Sequence, residues 1–326
     1  MQQIRLGRSD LQVSRVAFGT WQLGGDWGDT DADAAIAAVR GARELGINFF
    51  DTAEGYGFGV SEELLARALG DDLRRHRDEI IIATKGGLRL TADGGLQRDS
   101  SPDALRHSVD ASLAALGIET IDLYQVHWPD PAVPLDETAG ALQELIGAGK
   151  IRHAGVSNFD AAQLAEFSRG MPAETLQPPY HLYRREAEAS VLPYCRDADI
   201  GVLVYSPLGS GLLSGALRQD TEFAAGDWRG RSPVFRGKPL RRNLGVTAEL
   251  QHYAQTRLGA TVSQLAIAWV LAQPGIHVAI VGSRDSQHIR EAADAVSLVL
   301  SQEDLDQIEK ITAAATPVGG PTPEGF

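Results

Sequence analysis

The chain has 326 residues, 43% of them hydrophobic and 22% charged, a balance that suits a large folded core and excludes a disordered chain. A formal net charge of −13 argues against a general binder of nucleic acid or of an anionic membrane, whose phosphates it would repel. The single cysteine, Cys195, excludes an intrachain disulfide and any cysteine-based metal spacing; in the helix-like stretch 190–198 it reads as a packed side chain. The N-terminus lacks a long apolar region and no segment approaches the ~20 apolar residues of a membrane span, so a cytoplasmic enzyme is expected.

Residues 4–13, with a turn at Gly7-Arg8-Ser9-Asp10, read as a hairpin able to close one end of a barrel. Short apolar runs then alternate with helical patterns. Strand 15–19 precedes helix 31–45, 48–50 precedes 61–69, 80–84 precedes 102–116, and 121–126 precedes 136–148. Further on, 153–156 precedes 161–167, 175–177 precedes 187–197, 201–205 precedes helices around 247–257 and 262–272, and 278–281 precedes 287–295. About eight β-then-α units in one run predict an α/β fold, a closed (β/α)8 TIM barrel occupying 1–326 as a single domain. Local caps agree. Ser101-Pro102 places an N-cap before a helix-starting proline, and Asp160/Gln163 and Thr261/Gln264 have capping-box spacing. Ser61-Glu62-Glu63 puts negative charge at a helix N-terminus. A long insertion, 206–245, follows the seventh strand, and the proline- and glycine-rich tail 316–326 is expected to be flexible.

Active sites in such barrels lie at the C-terminal ends of the strands. There the second strand runs into Asp51 and, on a glycine-flanked loop, Tyr56; the third ends in Lys85 and the fourth in His127. Each alone has an ordinary structural reading, as a cap, a solvated amine or a packed ring. Together they make coherent proton chemistry. A phenol with a pKa near ~10 is a feeble acid at neutral pH; a neighbouring ammonium favours its phenolate, and a carboxylate holds that ammonium in place. His127 can hydrogen-bond the same substrate oxygen. The set delivers a proton to an oxygen becoming an alkoxide, as in carbonyl reduction.

Such a reduction needs a hydride source. Ser157 and Asn158 after the fifth strand and Gln177 after the sixth match the donors and acceptors of a carboxamide such as that of nicotinamide, and Tyr205 at the end of the seventh can stack on a flat ring. The glycine-rich turn 209–215 is a poor dinucleotide fingerprint, with Ser214 at the third glycine position, but can clamp a pyrophosphate through its backbone. Gly282-Ser283-Arg284 opening a helix after the eighth strand has the makings of a phosphate site. The basic stretch 228–242 can attract an anionic cofactor, although a solvated mobile loop is its commoner meaning. Trp21, Trp27, Phe58, Trp128 and Trp228 fall on loops expected to face the site, as an aromatic-walled substrate pocket. The histidines show no metal-ligand spacing, so no metal is expected.

Taken together, Asp51-Thr52-Ala53-Glu54-Gly55-Tyr56-Gly57, Lys85, Asp122 to Pro129, Gly149-Lys150-Ile151-Arg152, Gly155 to Phe159, Tyr205-Ser206-Pro207-Leu208 and Gly282-Ser283-Arg284 resemble the aldo-keto reductase family over residues 4 to 311. The stretch 177–188 and the Gly-Leu-Leu-Ser-Gly turn look most like bacterial members grouped with stress and inositol-utilisation reductases. The resemblance implies a (β/α)8 barrel with NADP(H), or NAD(H), extended across its C-terminal face, reversibly reducing a small-molecule aldehyde or ketone. It implies Tyr56 as general acid, tuned by Lys85 and Asp51, with His127 orienting the carbonyl. Ser157, Asn158 and Gln177 would hold the carboxamide over Tyr205. Ser206, Leu208, Gly209, Gly211, Gly282 and His288 would also bind the cofactor, with Ser283 and Arg284 at the 2′-phosphate and Glu291 at the adenine. Ala292 and His288 depart from residues frequent at those positions, and Asp285 beside Arg284 bears on the choice between NADP and NAD. The family also contains channel-associated subunits with slow chemistry, so an NADP(H)-binding regulatory subunit is the alternative reading.

Overall fold

A computed structural model describes residues 1–25, 31–92, 94–224 and 226–325. In chain order it runs β1 Gln3–Arg5, β2 Gln12–Ser14, β3 Val16–Gly19, α1 Ala32–Glu44, β4 Phe49–Asp51, α2 Val60–Arg75, β5 Ile81–Gly86, β6 Leu88–Leu90, β7 Leu96–Arg98 and α3 Pro102–Leu116. It continues with β8 Ile121–Val126, α4 Leu135–Gly147, β9 Ile151–Ser157, α5 Ala161–Gly170, β10 Thr175–Gln177, α6 Val191–Asp197 and β11 Gly201–Val204. Last come α7 Gly237–Tyr253, α8 Val262–Ala272, β12 Ile276–Val281, α9 Ser286–Asp294 and α10 Gln302–Thr312. Eight parallel strands close in the order β3-β4-β5-β8-β9-β10-β11-β12, with β12 pairing back to β3. This is the (β/α)8 barrel the alternating pattern predicts. Among the described residues no helix is long and apolar enough to cross a membrane.

Strand parity sorts the core into two clusters. Phe49, Ile81, Ala83, Leu123, Leu203 and Val278 pack inside the barrel, whereas their neighbours Phe50, Ile82, Tyr124, Val202 and Val204 pack outward against the helices. A residue two or four positions beyond an inward one therefore also points inward. The β1–β2 hairpin fills the N-terminal mouth, with Leu6, Leu11 and Val13 buried in the interior cluster. Gly7 makes that seat possible: its φ is +55°, and a Cβ there would lie 2.1 Å from the Gly201 nitrogen.

Caps match the sequence at Ser101, Asp160 and Thr261. Glu62 differs. It is fully buried in α2 and accepts from the Thr84 hydroxyl at 2.6 Å, so it anchors the helix to β5 instead of offering surface charge to the helix dipole. The helix expected over 187–197 is interrupted at Ser190, leaving the short α6. Cys195 is buried there, its thiol pushed up to about 12 by burial.

The insertion departs furthest from expectation, and the tail makes specific contacts. The basic stretch 228–242 is only in part a solvated loop: Arg231, Arg236, Lys238, Arg241 and Arg242 are exposed, but the backbone beneath them is ordered. Trp228 and Phe235 are buried, and from Gly237 onward the chain is already α7. The acid that steadies it, Asp227, stands one residue outside the basic run and holds Arg229 at 2.6 Å. The tail is likewise docked. The Thr316 backbone exchanges hydrogen bonds with the Asn243 amide (2.8 and 3.1 Å), the Val318 N–H donates to the Tyr183 carbonyl (2.9 Å), and Glu324 pairs with Arg98 (2.7 Å). Proline and glycine here shape a strap, because the backbone groups find fixed partners on α7 and on the loop after β10.

Candidate active site

Inward parity carries Asp51, two residues past Phe49, and Lys85, two past Ala83, into the barrel at its C-terminal end, joined by Gln125 two past Leu123 and by Gln177. Lys85 is fully buried and its ammonium donates three ways: to Asp51 Oδ1 (2.7 Å), to the Thr52 carbonyl (2.8 Å) and to the Tyr56 hydroxyl (3.3 Å). Gln177 Nε2 donates to the second Asp51 oxygen at 2.8 Å. Burial pushes the Asp51 carboxyl up and the Lys85 ammonium down, and each partly offsets the other's shift. The His127 ring meets the Tyr56 ring edge-on at 5.6 Å. Burial, reinforced by the Lys85 charge, holds this imidazole well below its ordinary value, so it stays neutral near pH 7.

Beside this cluster a second network prepares a flat surface. Tyr205 OH donates to Asn158 Oδ1 (2.8 Å), Asn158 Nδ2 donates to the His127 carbonyl (3.0 Å), and Ser157 Oγ donates to the Gln177 carbonyl (2.9 Å). Asn158, Ser206 and Ser210 have φ of 63°, 57° and 55°. Left-handed backbone at non-glycine residues is sparsely populated and needs support from its surroundings. Here the strained residues line the cavity.

That cavity, about 590 Å³, is in the usual range for a small-ligand site. It brings together Asp51, Tyr56, His127, Ser157, Asn158, Gln177, Tyr205, Ser206, Leu208, Gly211, Gly282, Ser283, His288 and Glu291, with Trp21 and Trp128. Lys85 lies beneath its floor. Gly209 faces the His181 ring below the wall, and Arg284 is not on the wall. Phe58 does not line it either: with φ of 47° between two left-handed glycines it belongs to the turn that starts α2. Trp228 packs behind Trp21, the rings stacked at 6.4 Å, and Trp27 lies outside the described residues.

A model of the Aldo/keto reductase family matches residues 15–313. The chain belongs to that family. Aldo-keto reductase YhdN of Bacillus subtilis (strain 168) is 39% identical over 98% of this chain and 96% of its own length. The NADH-specific methylglyoxal reductase of Escherichia coli (strain K12) is 33% identical over 96% and 99%. The solved structure of the glycerol dehydrogenase AKR11B4 from Gluconobacter oxydans superimposes with a TM-score of 0.88, at 38% identity and 98% coverage of both chains. Aldo/keto reductases are oxidoreductases of carbonyl substrates that use nicotinamide cofactors, and the residues around this cavity suit one: Gln177 keeps Oε1 to accept from an amide, and the half-buried Tyr205 ring on the cavity wall offers a flat face.

The cavity also has walls that the strand pattern does not reveal. Leu88 and Leu96 reach it from the β6–β7 hairpin, whose turn is closed by Thr91 N–H to Gly95 O (2.9 Å) and by Gly94 at φ 83°. The adjacent Gly94-Gly95 pair was its signal in the sequence. His181, Arg184 and tail residues Val318 to Pro321 line it as well. Arg98 ties these pieces together. Its guanidinium lies 5.2 Å over the Trp128 ring, donates to the Pro129 carbonyl at 2.9 Å and pairs with Glu324.

Proposed function

We propose that the chain reduces an aldehyde or ketone to the alcohol, reversibly, with NADP(H) as cofactor and Tyr56 as the proton donor. The observation that carries this reading is the buried Lys85 ammonium, 3.3 Å from the Tyr56 hydroxyl and 2.7 Å from Asp51. A positive charge so placed favours the phenolate left when Tyr56 gives up its proton. Asp51, fixed by Gln177, keeps that charge aimed at the hydroxyl. Neutral His127 holds the substrate oxygen beside Tyr56 and takes no net proton. Ser157, Asn158 and Gln177 grip the carboxamide over Tyr205, while Ser206, Leu208 and Gly211 follow the pyrophosphate and Gly209 supports that turn from below. A reduced nicotinamide bound there supplies the hydride.

At the far end, Gly282, Ser283, Arg284 and His288 receive a 2′-phosphate and Glu291 the adenine. Asp285 already accepts from the Gln287 N–H as the N-cap of α9, placing a carboxylate beside that phosphate site. We infer that NAD(H) is used as well, and one relative is named NADH-specific. The names of two relatives, which mention methylglyoxal and glycerol, support a small carbonyl or alcohol as substrate, with Trp21 and Trp128 as pocket walls; no nucleic-acid or membrane partner is proposed, and the cytoplasm is the proposed location.

The test is nicotinamide oxidation at 340 nm with a panel of short aldehydes, run with NADPH and NADH, and in reverse with alcohols. Turnover with NADPH exceeding that with NADH is expected. Tight NADPH binding with no turnover on any carbonyl or alcohol would sink the proposal and favour a cofactor-sensing subunit.

A further inference from the structure

The charges on the cavity wall are nearly all accounted for. Asp51 is held by Lys85 and Gln177, and Glu291 lies with His288 at the α9 end. Arg229 is gripped by both oxygens of Asp227, at 3.0 to 3.2 Å through Nε and 2.6 Å through Nη2, with Phe223 4.7 Å beneath its guanidinium. Arg184 is different. Among the described residues its side chain makes no hydrogen bond, and its one ion pair, with a Glu186 that is 72% exposed, is 3.8 Å long. An exposed pair at that separation is worth little.

Its position is nevertheless well defined. His181 and Arg184 exchange backbone hydrogen bonds (2.8 and 3.2 Å), and the Tyr183 N–H donates to His181 Nδ1 at 3.2 Å, so a tight turn after β10 presents the arginine to the cavity. Arg184 Nη1 lies 3.6 Å from where a Cβ of Gly320 would be, against the tail. The tail starts beside it, where Val318 bonds Tyr183, and ends on Arg98, which supports Trp128 next to His127. The tail therefore runs along the cavity wall from the Arg184 side to the Arg98–Trp128 side. The charge of Arg184 also reaches the half-buried Tyr205 ring and the buried His181 ring.

We infer that Arg184 is a specificity-determining residue whose guanidinium receives an anionic group, a carboxylate or phosphate, carried by the carbonyl substrate itself. The inference rests on the proposed reductase reading. A planar fork of donors with no carboxylate in bonding distance suits a bidentate partner. In a chain of net charge −13, such a local counter-charge favours the entry of an anionic substrate. The other source of an anion in this cavity is the cofactor pyrophosphate, so the experiment separates the two.

The experiment compares wild type with Arg184→Gln and Arg184→Lys on succinic semialdehyde and glyoxylate against the neutral butanal and methylglyoxal, with the NADPH Kd from fluorescence titration. Expected for Arg184→Gln is a ~10–100-fold loss of kcat/KM on the anionic aldehydes, mostly in KM, the range for one charged hydrogen-bonded contact. Turnover of the neutral aldehydes and the NADPH Kd stay within about 2-fold, and Arg184→Lys recovers part of the loss. Neutral turnover in the same variant serves as the control for folding. Equal losses on charged and neutral aldehydes, or a wild type with no preference for the anionic ones, overturn the inference while leaving the reductase reading intact. A rise in NADPH Kd that accounts for the whole effect assigns Arg184 to the cofactor and overturns it too. Absence of turnover on every aldehyde and alcohol removes the reductase reading, and this inference with it.

Discussion

At the N-terminal end of the barrel the inward positions are Phe49, Ile81 and Leu123, closed off by Leu6, Leu11 and Val13 of the hairpin; four residues or fewer further along the same strands they are Asp51, Lys85 and Gln125. The backbone geometry is shared and only the side chains change. Inside the barrel at the apolar end close packing suffices, and the buried Asp122 carboxylate lies on the outward side of β8, paired with Arg77 and Arg152. The polar end holds buried charges that are tolerable only when paired and hydrogen-bonded, and it collects the left-handed residues Asn158, Ser206 and Ser210. Within the barrel interior the buried charges sit where chemistry is proposed, while shape complementarity is concentrated where stability is needed. The two ends should therefore respond to substitution in different currencies, one in rate and the other in folding free energy.

The largest effect expected is at the polar end. Tyr56→Phe removes the proton and leaves the ring and its contacts, so kcat should fall by ~10²–10⁴-fold, with NADPH binding by fluorescence and the urea midpoint close to wild type. Full kcat in this variant would exclude Tyr56 as the acid and erase the division between the ends.

The reciprocal test is at the plug. Gly7→Ala places a Cβ 2.1 Å from the Gly201 nitrogen and 2.6 Å from its α-carbon, at φ +55°. The strained backbone and the displaced hairpin should cost roughly 2–3 kcal/mol in urea unfolding. The folded fraction should keep its kcat. A large loss of kcat with unchanged stability would mean that the plug takes part in the site.

Legibility in the sequence follows the same division. The barrel was readable because its strands are buried on both faces and so appear as apolar runs, and because caps such as Ser101 and Asp160 act locally. Asp51, Lys85 and His127 stand out because an ionisable residue ending such a run has no packing reason to be there. What the sequence hid depends on contacts distant along the chain. The docked tail owes its order to Asn243, Tyr183 and Arg98, and the basic stretch is steadied by Asp227, just outside the run that drew attention to it. Arg184 looks like one more surface cation until the turn at His181 and the passing tail place it on the cavity wall. Phe58 and Trp228, both aromatic and both on loops, were not distinguishable from Trp21 by residue type. Only the direction of the backbone and the Trp21–Trp228 stack separate them.

The smallest expected effect sharpens the comparison through pH. On the rim of the plugged end, His153 Nδ1 is 2.5 Å from Glu174 and its Nε2 is 2.8 Å from Asp10 on the hairpin turn, while Arg152 reaches Asp10 at 3.3 Å and Asp122 at 3.1 Å. Burial opposes a charge on this imidazole, but the Glu174 and Asp10 carboxylates outweigh it and raise His153 above its ordinary value. A raised value means that the folded state binds the proton more tightly than the unfolded one. The resulting stability is complete below the ordinary histidine value near ~6.5 and disappears as pH rises through the raised value. His153→Gln should therefore lower the urea midpoint most at pH 6, and the difference should shrink as pH rises through the raised value. Because neutral His127 and the Lys85–Asp51 pair lie at the opposite end, the pH profile of kcat should superimpose on that of wild type. A midpoint difference that grows with pH would reverse the sign assigned to His153, and a displaced kcat profile would show that the two ends are coupled through the strands they share.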